Sequence, residues 1–297
     1  MNSSKKYWIS TCEAIPKQTR EILNEFLLSL KLANKAESTI KRYRSELEKF
    51  FRECTIPINA LTSDDVFKWF QQYSLGKKEK TLDFILSVLS NFFNFCLDEE
   101  YMEKVVIKNR WRPKIPQSLP KYLNEHEYAR VKRVAEQFSL RNRALMLFLF
   151  SSGCRRFEAS QLTIQDVDFN KRTVKVKGKG KKIRHIHFSE ECALVLNEYL
   201  QTRSGDVTEP LFMNKFGKAL GQTGIYKVTT KLGRLAGLTQ TLHPHSCRHT
   251  FATTMLARGA DLQFNADEMG HSDLNTTRIY ASIPTEDMII KYQNIMG

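Results

Sequence analysis

The apolar residues of the first hundred positions recur at the three- and four-residue spacing of amphipathic helices. One such stretch follows Ser38, a residue suited to cap a helix N-terminus. Another begins at Thr62, where two nearby acids suit the positive end of a helix. A longer apolar stripe comprises Leu82, Ile85, Leu89, Phe92, Phe93 and Cys96. We therefore predict four helices with short connections, packed as a small bundle around the aromatic residues.

The helical pattern stops at KNRWRPKIPQSLPKYL, residues 108–123, which is basic, contains three prolines and shows no period. Each proline disfavours a helical conformation in the residue before it, so this stretch is predicted to be an extended linker. We place the domain boundary near residue 115. The predicted organisation is a helical N-terminal domain, 1–108, a linker, 109–120, and a second domain, 121–297.

The second domain opens with a helix predicted to start after Asn124. The apolar run ALMLFLF, 144–150, indicates a buried helix, which Gly153 interrupts before a second short helix. Alternation then predicts two strands joined by the turn sequence GKGK. The apolar residues of the two strands are Val174, Val176, Ile186 and Phe188. The predicted fold class is mainly α with a small antiparallel β-sheet.

The charge balance narrows the classes of partner. The chain has 46 Lys and Arg against 32 Asp and Glu, a formal net charge of +14 and a pI near 9.5. Such an excess favours nucleic acid or an anionic membrane surface. No apolar run is long enough to span a bilayer, and the N-terminus lacks the apolar core of a signal peptide. The six cysteines are scattered without a C-x-x-C pair, which argues against a zinc ribbon and a disulfide framework. We expect a cytoplasmic nucleic-acid binder without a membrane partner.

Basic residues concentrate in parts of the chain that are candidate phosphate contacts. The hairpin carries eight cations without a compensating acid, which exceeds what a solvated β edge needs: Lys171, Arg172, Lys175, Lys177, Lys179, Lys181, Lys182 and Arg184. Lys227, Lys231 and Arg234 recur at helical spacing opposite an apolar side; they either face a DNA groove or form an ordinary solvated face. In the first domain, the predicted DNA contacts are Lys41, Arg44, Lys77, Lys78 and Lys80.

The stretch TLHPHSCRHTFAT, 241–253, is rich in histidine and allows two interpretations. His245 and His249 are four residues apart, a spacing compatible with zinc on a helix. Against a metal, Arg248 lies between them and no carboxylate or second cysteine pair completes a site. In the favoured interpretation, Pro244 starts a helix, and His245 and Arg248 share one face near its positive end. That arrangement would bind an anion such as a phosphodiester.

Four segments together resemble the signature of one family. SGCRRFEASQL, VKGKGKKIRHIHF, HPHSCRHTFATTMLARGADL and MGHSDLNTTRIYAS resemble, in the family's order, the motif segments of the tyrosine recombinases, or phage integrases. The resemblance covers essentially the whole chain, because the helical first domain is similar to the core-binding, SAM-like domain of these proteins. The compact length is most similar to Xer-type recombinases and to integrases and resolvases of mobile elements.

The resemblance implies a catalytic set in the second domain. Arg155 and Arg248 match the two arginines that clamp the scissile phosphate, and Tyr280 matches the nucleophile. The other matches are Lys179 for the hairpin lysine, His245 for the histidine of H-x-x-R, and His271 for the histidine after the second glycine turn. It further implies a site-specific DNA recombinase that acts as a homotetramer on two double-stranded DNA sites, without cofactor or metal. A second recombinase or an accessory protein is left open.

The residue types fit this chemistry. Two guanidiniums can bind the non-bridging oxygens bidentately and take the place of a metal ion. Tyr280 would form a 3′-phosphotyrosine, with a cationic site to assist ionisation of its phenol, and Lys179 would protonate the leaving 5′ oxygen. Glu158, one turn after Arg155, either orients a basic side chain or forms an ordinary exposed pair. The alternative functions are a type IB topoisomerase-like relaxing enzyme and a non-enzymatic DNA-binding regulator.

Some positions depart from the family pattern. FNADEM, 264–269, has Asp267 and Glu268 where apolar residues are common, which suggests looser packing or acids used against a partner. His187 stands where proline is frequent, and Cys154 replaces an aliphatic residue. The C-terminal TEDMIIKYQNIMG has apolar residues at helical spacing. We expect it to form an exchange helix that docks on a neighbouring subunit; docking on its own domain is the alternative.

Overall fold

The computed structural model describes residues 6–116, 120–178, 182–203, 205–271 and 273–281. The chain divides into two compact units, Met1–Gln117 and Ser118–Gly297, and each is described by itself. Within the described residues, no helix is both long and apolar enough to cross a membrane. The fold class is confirmed as mainly helical with a small antiparallel sheet.

In the described residues of the first unit, four α-helices pack around a core rich in phenylalanine. They are α1 (Lys17–Leu32), α2 (Glu37–Glu53), α3 (Ser63–Ser74) and α4 (Glu79–Asp98), with 3-10 turns at Ile58–Ala60 and Asn109–Trp111. Thr62 caps α3 as predicted, because its side chain and that of Asp65 exchange hydrogen bonds with each other's backbone N–H. Ser38 does not cap α2, which begins one residue earlier after Ala36. The prediction at Ser38 is wrong because side-chain type alone does not mark where helical backbone begins.

The second unit surrounds a three-stranded sheet with helices. These are α5 (Glu125–Ala135), α6 (Leu140–Ser152), α7 (Arg156–Ala159), α8 (Glu190–Gln201), α9 (Gln222–Leu235), α10 (Pro244–Ala257), α11 (Leu262–Met269) and α12 (Asn275–Ala281). The antiparallel order is β1 (Val167–Asp168), β2 (Thr173–Lys177) and β3 (Ile183–His187), with Val174 opposite Ile186. Both of these residues are fully buried in the core. The hairpin and the start of α5 after Asn124 are confirmed.

Two glycines with left-handed backbone end helices that lead into one region. Gly153 follows α6 with φ 60°, and Gly270 follows α11 with φ 61°. A Cβ on Gly153 would collide with the Phe251 ring, and one on Gly270 would come within 2.8 Å of the Arg184 guanidinium carbon. Glycine at both positions therefore allows the turn and the close approach together.

Candidate active site

Arg248 lies at the centre of a group of polar side chains in the second unit. It follows Pro244, the first residue of α10, by one turn and is 4% exposed. Its Nη1 donates to the Gly153 carbonyl at 2.6 Å and its Nη2 to the Met269 carbonyl at 2.5 Å. Burial and the nearby charge of Arg155 lower the pKa of Arg248 to about 10, so it remains a cation at neutral pH. The turns after α6 and α11 thus hold one buried guanidinium between them.

Arg155 binds the Gly270 carbonyl, which directly follows the Met269 carbonyl bound by Arg248. It caps α7, and its Nη2 donates to the Gly270 carbonyl at 2.9 Å while its Nη1 donates to Glu158 Oε1 at 3.1 Å. Its side chain is 32% exposed. Arg155 and Arg248 are therefore fixed to consecutive residues at the end of α11, and Arg155 keeps part of its guanidinium open to a ligand. An anion is the ligand that such a pair of cations favours.

Glu158 anchors two arginines instead of forming an exposed pair. Its side chain is 1% exposed and accepts hydrogen bonds from the Arg155 backbone N–H at 2.8 Å and from Arg184 at 2.7 and 3.0 Å. Burial raises the pKa of this carboxyl, but the hydrogen bonds and charges of Arg184 and Arg155 outweigh burial, and the net pKa is lowered. Glu158 is therefore a carboxylate that fixes both guanidiniums.

Arg184, a predicted DNA contact, is paired inside the second unit. The side chain leaves the hairpin surface, is 17% exposed and makes a bidentate pair with Glu158. Its guanidinium also lies against Gly270. The alternation of apolar and polar residues along β3 did not predict this inward position. Arg184 turns inward because it pairs with the buried carboxylate of Glu158, which is 26 residues away in sequence.

His271 connects Arg248 to the next helix. Arg248 Nη2 donates to His271 Nε2 at 3.0 Å, and Nδ1 lies 2.8 Å from Thr277 Oγ1. A guanidinium can only donate, so Nε2 is the acceptor, and Nδ1 of the neutral ring donates to Thr277. Burial first, and then the charges of Arg248, Arg155 and Arg184, lower the pKa of His271 to about 4. The ring is neutral at pH 7 and both of its nitrogens are engaged.

Tyr280 lies in α12 and is 3% exposed, packed against Phe251, Ala252 and Met269. Its hydroxyl lies 2.8 Å from His249 Nδ1. Burial raises the pKa of Tyr280, and the nearby cations Arg248 and Arg155 counter only part of that rise. The group is therefore a phenol whose hydroxyl is held by a histidine. In the sequence analysis, His249 was considered only as a metal ligand. Its position directly after Arg248 in HSCRH already indicated that the two residues share a helix.

Of the remaining predicted catalytic residues, His245 lies on the helix of Arg248 and Lys179 falls outside the described residues. His245 is on α10 with an exposed side chain. Partial burial, then His243 and Arg156, lower its pKa, so it is largely neutral at pH 7. Lys179, the predicted general acid, and Lys181 fall outside the described residues, as does the predicted exchange helix in 285–297. Among the residues that are described, no group of three or more His, Cys, Asp or Glu side chains could hold a metal ion.

The predicted DNA contacts differ in how they are presented. Those with exposed side chains are Lys41, Lys77, Lys78, Lys80, Lys175, Lys177, Lys182, Lys227, Lys231 and Arg234. The last three lie on one helix, α9. Arg44 is half-buried and donates to the Ile9 carbonyl at 2.9 Å, with Glu48 nearby. Arg44 thus supports its own unit, and its guanidinium is less open to a phosphate than the others.

Two of the positions that depart from the family pattern, Glu268 and His187, form a pair. Glu268 is buried in α11, and its Oε1 lies 2.7 Å from His187 Nδ1, while its Oε2 accepts from the His187 backbone N–H at 3.1 Å. Asp267 instead lies on the surface and accepts from Gln263 at 2.9 Å. One acid therefore ties α11 to the end of β3.

Comparisons with known proteins cover both units. Residues 121–286 match the phage integrase family, and residues 19–100 match the phage integrase N-terminal SAM-like domain. The tyrosine recombinase XerA of Pyrococcus horikoshii is 36% identical over 274 residues, which are 90% of this chain and 91% of that protein. These matches confirm the resemblance predicted from the four motif segments.

Solved structures agree with this assignment. The crystal structure of a XerA recombinase has a TM-score of 0.55 and 26% identity, covering 94% of this chain and 99% of that one. The XerH recombinase bound to a palindromic difH substrate has a TM-score of 0.71 and 23% identity, covering 97% and 91%, and is similar in fold. The chain belongs to the phage integrase family of tyrosine recombinases, enzymes that cleave DNA strands and rejoin them.

Proposed function

We propose that this recombinase cleaves double-stranded DNA at specific sites. Tyr280 is the nucleophile, and Arg155 and Arg248 form the clamp that binds the scissile phosphate. One observation carries the assignment: the two guanidiniums and His271 share the turn after α11, and α12, which bears Tyr280, follows that turn directly. The only tyrosine so placed among the described residues is Tyr280. The XerH relative was solved on a DNA substrate, which supports DNA as the ligand.

In the proposed reaction, the exposed part of Arg155 and the guanidinium of Arg248 bind the non-bridging oxygens and stabilise charge that builds in the transition state. His271, neutral and bonded to Arg248, orients that guanidinium. His245, exposed on the same helix, is proposed to contact the phosphate. Lys179, assigned from the sequence, protonates the 5′ oxygen as it leaves. The 3′-phosphotyrosine retains the bond energy, so rejoining needs neither ATP nor metal.

The assignment of Tyr280 can be tested before the DNA site is identified. Genomic fragments trapped covalently by the protein reveal the cleaved sequence, and a nicked duplex of that sequence then traps the adduct. We expect the wild type and Tyr226→Phe to form the adduct and Tyr280→Phe to form none. Tyr226 is the matched control because it is exposed on α9. An adduct with Tyr280→Phe would overturn the assignment, and relaxation of plasmid that lacks the trapped sequence would favour a topoisomerase.

We further propose that four copies act on two DNA sites and that residues 285–297 of one copy dock on the next. The support is a groove of about 430 Å³ in the second unit, which includes Phe150, Phe251, Met255 and the 48% exposed Phe264. The apolar residues of the tail, Met288, Ile289, Tyr292 and Ile295, suit such a groove.

Docking between copies predicts a difference between binding and assembly. Phe264→Glu should leave one copy bound to a half-site while lowering the amount of four-copy complex, as seen by analytical ultracentrifugation on DNA. Leu194→Glu, a similarly exposed apolar position on α8, is the control. Equal loss of assembly in both variants, or none in Phe264→Glu, would contradict docking in this groove.

We propose that the protein works in the cytoplasm of a prokaryote or on a phage or mobile element. We also propose that the first domain spans 1–108, the linker 109–120 and the catalytic domain 121–297. Chromosome dimer resolution, integration or excision, and transposon resolution all use this chemistry, so the trapped DNA sequence distinguishes among them. The same experiment, repeated with purified protein alone, tests whether a second recombinase or an accessory protein is needed.

A further inference from the structure

The hydroxyl of Tyr280 has one hydrogen-bond partner among the described residues, His249 Nδ1 at 2.8 Å. The two rings lie 5.6 Å apart between centroids, on α12 and α10. The rest of the Tyr280 environment is apolar and includes Phe251 and Met269. The phenol is protonated, so its O–H donates and the imidazole nitrogen accepts. The buried hydroxyl is thus aimed at a basic nitrogen.

The other basic groups near the clamp are not placed to accept the Tyr280 proton. His271 uses Nε2 for Arg248 and Nδ1 for Thr277. The arginines are donors only. His245 is exposed, and the described contacts include no hydrogen bond between it and Tyr280. Within the part of the chain that the structure describes, His249 alone combines an acceptor lone pair with direct contact to the attacking oxygen.

We infer that His249 is a further catalytic residue of this recombinase, which holds the Tyr280 hydroxyl and receives its proton as the oxygen attacks phosphorus. This inference rests on the proposed function of Tyr280. In the step, the Tyr280 Oη–P bond forms, the P–O5′ bond breaks, and the phenol proton moves to His249 Nδ1. The 5′ oxygen takes its proton from the general acid, proposed to be Lys179. Rejoining runs the same transfers in reverse, so no outside reactant is needed.

The charges around His249 link this step to the presence of DNA. Burial is the main reason that the pKa of His249 is lowered to about 4, and electrostatic interactions with His245, with the Arg248 guanidinium and with His243 lower it further. A phosphodiester bound at Arg155 and Arg248 brings a negative charge that offsets the cationic part of this effect. His249 is therefore a weaker base in the free protein than with a phosphate in the clamp.

Replacing His249 with asparagine distinguishes two roles of this residue, holding the Tyr280 hydroxyl and accepting its proton. In His249→Asn the amide oxygen can occupy the region of Nδ1 and accept the hydrogen bond, but it cannot take the proton. We expect single-turnover cleavage of the nicked substrate to fall by about 10² or more in both His249→Asn and His249→Ala, within the range for general base catalysis. DNA binding by gel shift and the urea unfolding midpoint should stay near wild type for His249→Asn. Cleavage by His249→Asn within threefold of wild type would overturn the inference.

A substrate with sulfur in place of the bridging 5′ oxygen tests which side of phosphorus His249 serves. Sulfur leaves without a proton, so this substrate should restore cleavage to Lys179→Ala and leave the defect of His249→Asn unchanged. Restoration in His249→Asn would place His249 on the leaving-group side and overturn the inference. A wrong assignment of the nucleophile gives a different result: Tyr280→Phe, with His249 unchanged, would still form the covalent adduct.

A variant with a cavity gives an independent check should His249→Asn fold poorly. Added imidazole is small enough to supply a nitrogen base in His249→Ala. We expect tens of millimolar imidazole to raise the cleavage rate of His249→Ala at least tenfold, with no effect on Lys179→Ala. Absence of any rescue in a folded, DNA-binding His249→Ala protein would count against proton transfer to His249.

Discussion

Arg248 shows at the residue scale why arginine is required. Its fork binds the Gly153 and Met269 carbonyls and His271 from a position that is 4% exposed. A lysine ammonium cannot span these acceptors or bind a phosphate bidentately. We expect Arg248→Lys to lower single-turnover cleavage by about 10²–10³. The carbonyls left unpaired should lower the free energy of unfolding by about 1–3 kcal/mol.

The control for Arg248→Lys is the same substitution on the surface. Arg133 is exposed on α5, and Arg133→Lys should change the free energy of unfolding by less than about 0.5 kcal/mol. Urea unfolding and cleavage of the nicked substrate measure both effects. Cleavage by Arg248→Lys within threefold of wild type would show that the guanidinium fork is not needed.

The contacts of Glu158 predict how the free energy of unfolding depends on pH. Its pKa is lowered in the folded protein, because the arginine contacts outweigh burial. The stabilisation from its charge is therefore present above the unfolded-state pKa and lost as pH falls through the folded-state pKa. We expect Glu158→Gln to lower the free energy of unfolding by about 3–5 kcal/mol at pH 7. The difference from wild type should shrink as pH falls from 5 to 3.

Urea unfolding at several pH values tests this. Glu198→Gln, an exposed acid on α8, should show a small difference at every pH. A difference between wild type and Glu158→Gln that stays constant or grows toward pH 3 would mean that the carboxylate charge does not stabilise the fold.

Single residues also show how far the sequence could predict the site. The motif spacing identified Arg155, Arg248 and His271, and the structure brings these three to one turn. The motif spacing did not identify the roles of Arg184 and His249. The partner of Arg184 is 26 residues away in sequence and the partner of His249 is 31 residues away. Periodicity reports which face a residue lies on; it does not report which side chain from another element meets it.

At the scale of elements, α11 positions the clamp through its last turn. The Met269 and Gly270 carbonyls that hold the two arginines directly follow Glu268, which ties the helix to His187 at the end of β3. We expect Glu268→Ala and His187→Ala each to lower cleavage more than DNA binding. A double-mutant cycle on the free energy of unfolding should give a coupling of about 0.5–3 kcal/mol.

The same helix offers the control for that cycle. Gln263 and Asp267 form a hydrogen bond of 2.9 Å with both side chains exposed, and their cycle should give a coupling below about 0.5 kcal/mol. A coupling between Glu268 and His187 no larger than this, or equal losses of cleavage and DNA binding, would show that the tie does not position the clamp.

Elements differed in how well the sequence predicted them. Asn124 and Gly153 mark their helix ends by local chemistry, a capping side chain and a left-handed backbone, and both ends were predicted. Strand β1 was not predicted, since two residues are too few to show alternation. The pairing of Glu268 with His187 joins two departures from the family pattern that are 81 residues apart, so neither could be interpreted alone.

The charge of the whole molecule sets how its DNA binding responds to salt. Lys227, Lys231 and Arg234 are exposed together on α9 within a chain of net charge +14. If each contacts a phosphate, binding releases one condensed counterion per contact, and the plot of log affinity against log salt has a slope of about −0.9 per contact. Replacing all three with glutamine should make that slope less steep by about 3.

Local contacts must be separated from the general effect of net charge. The control replaces Lys35, Lys215 and Lys218, which are exposed but are not predicted contacts, with glutamine. Both triple variants remove three positive charges, so a diffuse attraction would weaken binding equally in the two. Filter binding to the trapped duplex between about 50 and 300 mM salt should instead show a shallower slope only for the α9 variant. An equal change in both slopes would mean that α9 lies away from the DNA and that the excess charge acts only at long range.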